Sequence, residues 1–520
     1  MADIVLISAQ QNLDTIGLKY VHQYLLESGK IDTILLYIPI FAKQKSRGHL
    51  KDFLISHSPK VIGISLTVED YSIAVETTKL IREILPSVYV IWGGIEPTTE
   101  PERCLQWADF VCIGEGELPI KDFILKLKSG ATYEDLQKVN NMAFLSGGKL
   151  NINSLYPLIT DLDSLPILRQ IPENSYVDVG ERVEPLQVKH LYRFKRYRGQ
   201  VLKVMTSRGC PYGCTFCCNR YLRMIYGKWP VRQRSVKHVI EEIELGLREG
   251  PKTYYIDIAD DCFFSSDLDY IKEFCYEYKK RFNIPFIAKT TPHEVSEEKM
   301  DLLTDAGLTW INMGLQSGSD YTCLKIYKRA TTAENFLKAA EIISKYPIGV
   351  YYDIIVDNPY ERLEDKLKTA ETLAQVPHKF IPLIASLRFY PGTELRRKAI
   401  EDKIIDADCI EFGDIFAWEK NAINKLIRCA CFIPTSWTFF LTKKMKKNPE
   451  DGFIKGIISV LELICVLFLI PYNAVRMIYL SQRRSLVGTI RVSSMFFYAT
   501  HLPAIRFLRK GLNIRKLFDT

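Results

Sequence analysis

The chain is 520 residues long, room for about three domains at ~150 residues each, with 47% hydrophobic, 12% aromatic and 25% charged residues. That composition excludes a disordered, collagenous or disulfide-framework protein, and 13 cysteines without the dense pattern of a small secreted scaffold point to a compartment of free thiols. The net charge of +8 is unevenly spread: residues 421–520 hold 16 Lys/Arg against 4 Asp/Glu, a local +12 that leaves −4 for residues 1–420.

The start, Met1-Ala-Asp-Ile-Val-Leu-Ile-Ser8, has no basic segment and too short an apolar run for a signal peptide, and reads as a first strand. Further strands are expected at Thr33–Tyr37, Val61–Leu66, Tyr89–Gly93 and Phe110–Ile113, separated by amphipathic helices such as Gly17–Ser28 and Tyr71–Leu85. This alternation predicts a doubly wound parallel sheet over residues 1–130, with ligands at the carboxyl ends of its strands. Residues 131–198 lose the pattern and read as a linker. From Val201 the alternation resumes, with strands expected at Val201–Thr206, Thr253–Ile258, Phe286–Thr290, Trp310–Leu315, Tyr351–Val356 and Ile384–Tyr390. Six such units predict a partial, TIM-like α/β barrel over 199–405, and residues 406–520 read as a helical, basic and apolar region.

Ser207-Arg-Gly-Cys210-Pro-Tyr-Gly-Cys214-Thr-Phe-Cys217-Cys-Asn219 follows the first barrel strand directly. Three thiols on a glycine-containing loop suit a soft metal centre, zinc or iron–sulfur. A structural zinc site wants a fourth Cys or His at matching spacing. Cys218 adjoins Cys217, so its side chain diverges, and the next histidine along the chain is His238. A 4Fe–4S cluster held by three cysteines leaves one iron open, unlike the four-cysteine electron-transfer type.

In these residues the chain resembles the radical S-adenosylmethionine (SAM) superfamily, whose CxxxCxxC loop follows the first barrel strand with an aromatic, here Phe216, before the last cysteine. Tyr255-Ile-Asp-Ile-Ala-Asp260-Asp261, Trp310-Ile-Asn-Met-Gly314-Leu-Gln316-Ser317-Gly318, Tyr352–Glu361 and Arg388–Thr393 are similar to later strand signatures of that family, in order. The resemblance implies that Cys210, Cys214 and Cys217 hold a 4Fe–4S cluster and that Asp260, Gln316 and Ser317 contact SAM. A carboxylate suits the methionine ammonium group. Lys289, ending the third strand, reads equally as a SAM contact or a surface lysine. The implied chemistry is one-electron cleavage of SAM to a 5′-deoxyadenosyl radical that takes a hydrogen from substrate, with an electron donor such as flavodoxin or ferredoxin. No residue is assigned a catalytic role beyond cofactor binding.

Gly63-Ile-Ser65-Leu-Thr67 ends one N-terminal strand in hydroxyls and Ile91-Trp92-Gly93-Gly94 ends the next in paired glycines, which let a bulky ligand approach the backbone. This resembles the cobalamin-binding domain fused to many radical SAM enzymes, and implies Ser65, Thr67, Gly93 and Gly94 as cobalamin contacts; a generic flavodoxin-like sheet is the other reading. Where related folds carry Asp-x-His-x-x-Gly with histidine on cobalt, this chain has Asn12-Leu-Asp14-Thr-Ile-Gly17, so histidine ligation is not expected, and His22 reads as structural. The resemblance implies radical methylation of an unactivated carbon; cyclisation, rearrangement or oxidation, and a non-catalytic sensing module, are the alternatives. A transfer-RNA methylthiotransferase would want three cysteines in the N-terminal domain, which has Cys104 and Cys112 alone.

In the tail, Lys455, Ser459 and Glu462 fall on one helical face, and Leu463–Ile470 is apolar until Pro471. That run is shorter than the ~20 residues of a spanning helix, so a buried core helix or one lying on a bilayer is expected. Lys443, Lys444, Lys446, Lys447, Arg476, Arg483, Arg484 and Arg491 with Trp437, Phe439, Phe440, Phe496, Phe497 and Tyr498 suit peripheral membrane association; a solvated cap on the barrel is the competing reading. Nucleic acid is not expected, the location is cytoplasmic, and a hydrophobic small-molecule substrate is favoured. Cys429-Ala-Cys431 reads as buried thiols rather than a second cluster.

Overall fold

A computed structural model describes residues 2–44, 46–407 and 416–481. Contacts divide the chain into two units, one of Met1–Leu202, Cys217–Thr253 and Tyr390–Arg397, the other of Lys203–Phe216, Tyr254–Phe389 and the chain from Lys398 on. Arg483, Arg484, Arg491, Phe496, Phe497 and Tyr498 lie outside the described residues.

The first unit is built on a nine-stranded sheet. Its centre is the parallel set Ile4–Ser8, Thr33–Tyr37, Val61–Ser65, Tyr89–Gly93 and Phe110–Cys112. Ile4–Ser8 and Thr33–Tyr37 are buried at every position, as the strands of a sheet covered on both faces must be. Helices such as Tyr71–Ile84 bury an apolar stripe of Ile73, Ala74, Leu80 and Ile81 against it.

Residues 131–198 are not a linker. Met142–Ser146 and Lys149–Ile152 form an antiparallel hairpin on one edge of this sheet, and Ser175–Asp178 and Val183–Pro185 extend the other. The hairpin turns on Gly147 and Gly148, whose φ values of +57° and +78° are those of a two-residue type I′ loop.

The second sheet has six strands in chain order, Val201–Val204, Tyr255–Ile258, Phe286–Thr290, Leu308–Gln316, Gly349–Val356 and Ile381–Ser386. From Tyr255 onward neighbouring strands pair in parallel, the open barrel expected from the sequence.

The C-terminal helices are Ala422–Cys429, Thr435–Lys447 and Gly452–Ile464, the last continuing through a π turn at Cys465–Leu469 into Ile470–Ser481. Pro471 therefore does not end the helix. It lacks the N–H that would meet a carbonyl one turn back, and a π turn is where a helix absorbs such a loss. Within this continuous helix the 25 residues Gly452–Arg476 are long and apolar enough by length and composition to cross a membrane, against the shorter run expected. Nor is it a core helix: of its most apolar stretch 19% is buried. Cys429, Cys431 and Cys465 are all buried, as thiols in a core are.

Candidate cofactor sites

The cysteine loop starts from a buried acid. Asp260, 1% exposed, accepts hydrogen bonds from the Thr206 amide at 2.7 Å, the Ser207 hydroxyl at 2.7 Å and the Thr206 hydroxyl. Burial raises the pKa of this carboxyl, and the hydroxyls and amides offset part of that cost. Its oxygens are spent on the end of the first barrel strand, so the geometry gives Asp260 a positioning role three residues ahead of Cys210. The neighbouring Asp261 is exposed.

Cys214 is buried, whereas Cys210, Cys217 and Cys218 are half-exposed, and all four are free of disulfides. Between them the loop is pinned by Thr215, whose amide donates to the Tyr327 carbonyl at 2.9 Å and whose hydroxyl donates to the Ile326 carbonyl at 2.7 Å. Phe216 meets the Tyr327 ring edge to face at 5.0 Å. Cys217 caps the helix Cys218–Ile225, placing its sulfur at the positive end of the helix dipole. Asn219 donates its amide to Cys217 Sγ at 3.6 Å, and the Trp229 indole N–H, bonded to Asn219 Oδ1 at 2.9 Å, fixes which way that amide points. Among the described residues no three His, Cys, Asp or Glu side chains converge as the ligands of one ion would. Cysteines of a cubane cluster hold different irons, so this bears on a mononuclear centre and leaves a three-thiolate cluster fitting the donor set.

The other expected SAM contacts divide. Gln316 ends its strand at φ +66°, past a register shift between Gly314 and Gln316; such left-handed strain in a non-glycine residue concentrates at functional sites. Ser317 is 1% exposed and donates its hydroxyl to Glu361 at 2.6 Å, which makes it part of the scaffold beneath. Beside Lys289, the sheet and a loop next to it carry polar groups not singled out from sequence, Asn312 and Arg329. Lys289 is in register with Asn312, which donates to Asp353 at 3.3 Å. Arg329, 7% exposed, donates to the Gly314 carbonyl at 2.8 Å, while its Nε is buried without a partner, an orphan donor suited to an anion.

Burial raises Asp353 from 3.8 to about 6, partly offset by Asn312, Lys289 and Arg329. Between those values the folded chain keeps a proton that the unfolded chain has lost, so stability falls as pH rises through the window. Asp353→Asn is expected to flatten this, gaining on the order of 3 kcal/mol above the window, as thermal unfolding below and above pH 6 will read.

In the N-terminal sheet, Ser8, Ser65, Gly93 and Cys112 lie side by side at the strand ends. A Cβ at Gly93 would meet nothing nearer than Cys112 Cβ at 3.8 Å, whereas Gly94, at φ +105°, would put one 2.4 Å from the Leu66 carbonyl oxygen. The paired glycines leave bare backbone beside Ser65, a cradle that fits a large ligand. Thr67 is less available, its hydroxyl and amide both donating to Asp70. The following loop is held by Tyr226, whose hydroxyl accepts from the Glu115 amide at 3.0 Å, and by Arg232, which forks onto Glu115 at 3.0 and 2.5 Å. Neither residue was distinguishable in the sequence.

Asp14 stands 3.7 Å from Lys195 and accepts from the Arg196 amide, so the position of a cobalt-ligating histidine holds an ion pair instead. Lys19 beside it is lowered to about 7, first by burial and then by Lys195. His22 is fully buried between Thr33 and the Glu173 carbonyl, which makes it structural, and its pKa is lowered to about 4 by burial. Cys104 and Cys112 are buried in the sheet core. Gly392 of the Arg388–Thr393 segment packs in the first unit, at φ +71°, where a Cβ would lie 2.7 Å from Thr99.

Residues 2–124 match the B12 binding domain and residues 204–373 the radical SAM superfamily. An uncharacterised methyltransferase of Pyrococcus horikoshii is 25% identical over 67% of this chain and 71% of its own length. The anaerobic magnesium-protoporphyrin IX monomethyl ester cyclase of Cereibacter sphaeroides is 26% identical over 68% of this chain and 57% of its own. Among solved structures, the cobalamin-dependent SAM radical enzyme OxsB superposes with a TM-score of 0.64 over 99% of this chain and 81% of its own at 16% identity. The radical SAM methyltransferase TsrM of Kitasatospora setae, solved with cobalamin and a 4Fe–4S cluster, gives 0.61 over 77% and 78% at 16% identity; at these identities both likenesses speak for the fold. The two domain matches agree with the two sheets and with the cofactors each was expected to serve. The chain belongs to the cobalamin-binding radical SAM enzymes, which use a 4Fe–4S cluster, SAM and cobalamin.

Proposed function

We propose that this enzyme methylates an unactivated carbon of a small, hydrophobic molecule in the cytoplasm, at the membrane face. The observation that carries the reading is the bare-backbone cradle at Ser65, Gly93 and Gly94, in a domain whose cobalt-ligand position is occupied by the Asp14–Lys195 pair. Ser65, Gly93 and Gly94 would hold a corrinoid there, and it would supply the methyl group to be transferred. Methyltransferase relatives, those of Pyrococcus horikoshii and Streptomyces wedmorensis, favour the same outcome.

When bound, the cluster and SAM supply one-electron chemistry and the corrinoid carries the methyl group. Cys210, Cys214 and Cys217 would hold the cluster. Asn219 would donate to the Cys217 sulfur, the kind of hydrogen bond that tunes a cluster's potential. Asp260 sets the loop's origin through Thr206 and Ser207. Gln316 and the orphan Arg329 Nε are the groups suited to SAM. The reductant is a flavodoxin- or ferredoxin-type donor. The cyclase likeness favours a second reading, radical oxidation or cyclisation without methyl transfer.

Cells expressing the protein and fed methyl-deuterated methionine are compared with cells expressing Cys214→Ala. The expected result is a labelled metabolite present in the first and absent from the second. 5′-Deoxyadenosine production with no labelled product would instead select the second reading, and no 5′-deoxyadenosine from reduced, cluster-loaded protein would leave a sensing module.

A further inference from the structure

We propose that the C-terminal helices form a docking surface for an anionic lipid bilayer, on which the enzyme lies without crossing it. The inference rests on the orientation of one helix and on no part of the methylation reading.

A helix on the outside of a water-soluble enzyme turns its apolar stripe inward and its polar residues to solvent. Gly452–Ile464 turns polar residues inward beside the buried Ile454 and Ile458, and leaves much of its apolar surface outside. Arg428 donates to Glu462 at 2.9 Å and Lys425 to Ser459 at 3.1 Å, so these polar positions are spent against the helix Ala422–Cys429. The outward face is left to Phe453, Val460, Leu463, Leu467, Phe468 and Tyr472, which are 51–77% exposed. Contiguous apolar surface of this kind marks an interaction site.

The preceding helix, Thr435–Lys447, supplies the polar half of such a site. Trp437 and Phe440, 54% and 53% exposed, fall at helical spacing with Lys444 and Lys447. Aromatic rings followed by lysines on one stripe suit the headgroup zone of an anionic leaflet. Charge decides between occupants: the described residues 421–481 hold 8 Lys/Arg against 3 Asp/Glu, a local +5, so a second copy of this chain would bring like charge to the same face, whereas anionic lipid is complementary. Packing decides between lying on the bilayer and spanning it. The helix is braced at Ser459 and Glu462 by Lys425 and Arg428, and a spanning placement would carry both into hydrocarbon.

Full-length, cluster-loaded protein is sedimented with vesicles of phosphatidylglycerol and phosphatidylcholine, and with vesicles of phosphatidylcholine alone. Binding is expected to the first, weakened by salt, and to be marginal with the second. Phe453→Ser with Phe468→Ser is expected to weaken partition roughly a hundredfold, and Lys443→Glu with Lys444→Glu tenfold or more. All four side chains are exposed, so unchanged iron content and thermal unfolding will show that the fold is kept. The proposal is overturned by absence of binding to anionic vesicles, or by binding indifferent to lipid charge and to the lysine changes. A concentration-dependent dimer abolished by the phenylalanine changes would assign the face to a second copy. Retention in membranes after alkaline carbonate extraction would make the helix a spanning one.

Discussion

Cys214→Ala is expected to lower iron from about four per chain to near zero and to reduce 5′-deoxyadenosine formation from SAM to background. Cys210→Ala and Cys217→Ala should do the same, because a cubane tethered at two corners has no third thiolate to replace the lost one. Cys218→Ala is the control. Its residue opens the helix after Cys217, and adjacent side chains diverge, so iron loading should stay at the wild-type level. Iron and sulfide analysis of anaerobically purified protein separates the four variants. Loss of the cluster in Cys218→Ala would show that the ligand set has been drawn on the wrong thiols. Asn219→Ala should leave iron in place and move the cluster's reduction potential, since it removes a donor to Cys217 Sγ and no ligand.

Gly94→Ala is expected to destabilise the N-terminal unit by on the order of 3 kcal/mol and to abolish corrinoid binding. The added methyl would lie 2.4 Å from a backbone oxygen, at a φ of +105° that side-chain-bearing residues rarely adopt, so the strand end itself must move. Gly93→Ala has room in the fold, with its nearest neighbour 3.8 Å away, and is expected to unfold like wild type. Its methyl would project where ligand is expected, so corrinoid retention, read from the absorbance of the purified protein, should still fall at least tenfold. Full retention in Gly93→Ala would remove the cradle from the site.

The strands were the most legible part of this molecule. Ile4–Ser8 and Thr33–Tyr37 appear where their short apolar, β-branched runs place them, because a strand buried in a parallel sheet has to be apolar on both faces. The hairpin around Gly147-Gly148 was not legible, because the polar side chains of its edge strand give that stretch the look of a linker. Site residues held together by distant partners left no such trace. Asp260 reads as a ligand because an acid ends a strand; that Thr206 and Ser207 consume it depends on which strand lies alongside. Arg329 sits in a loop with no periodicity, and its approach to Gly314 exists only once the chain has turned back. In the tail, spacing located the polar face of the helix but could not say which way it pointed, and the ion pair from Arg428 to Glu462 settles that.

The π turn at Cys465–Leu469 has a consequence for angular phase. A π turn amounts to one residue inserted into an α-helix, and each residue advances the helix by about 100°. Deleting any one residue within the turn would therefore spin Ile470–Ser481 by about that angle while leaving Gly452–Ile464 where it is. Asn473, Ala474 and Ile478, now buried, would rotate off their packing, although no buried side chain had been changed. The surplus residue works as a phase-setting spacer, so length in this short stretch is under tighter constraint than the identity of its apolar side chains.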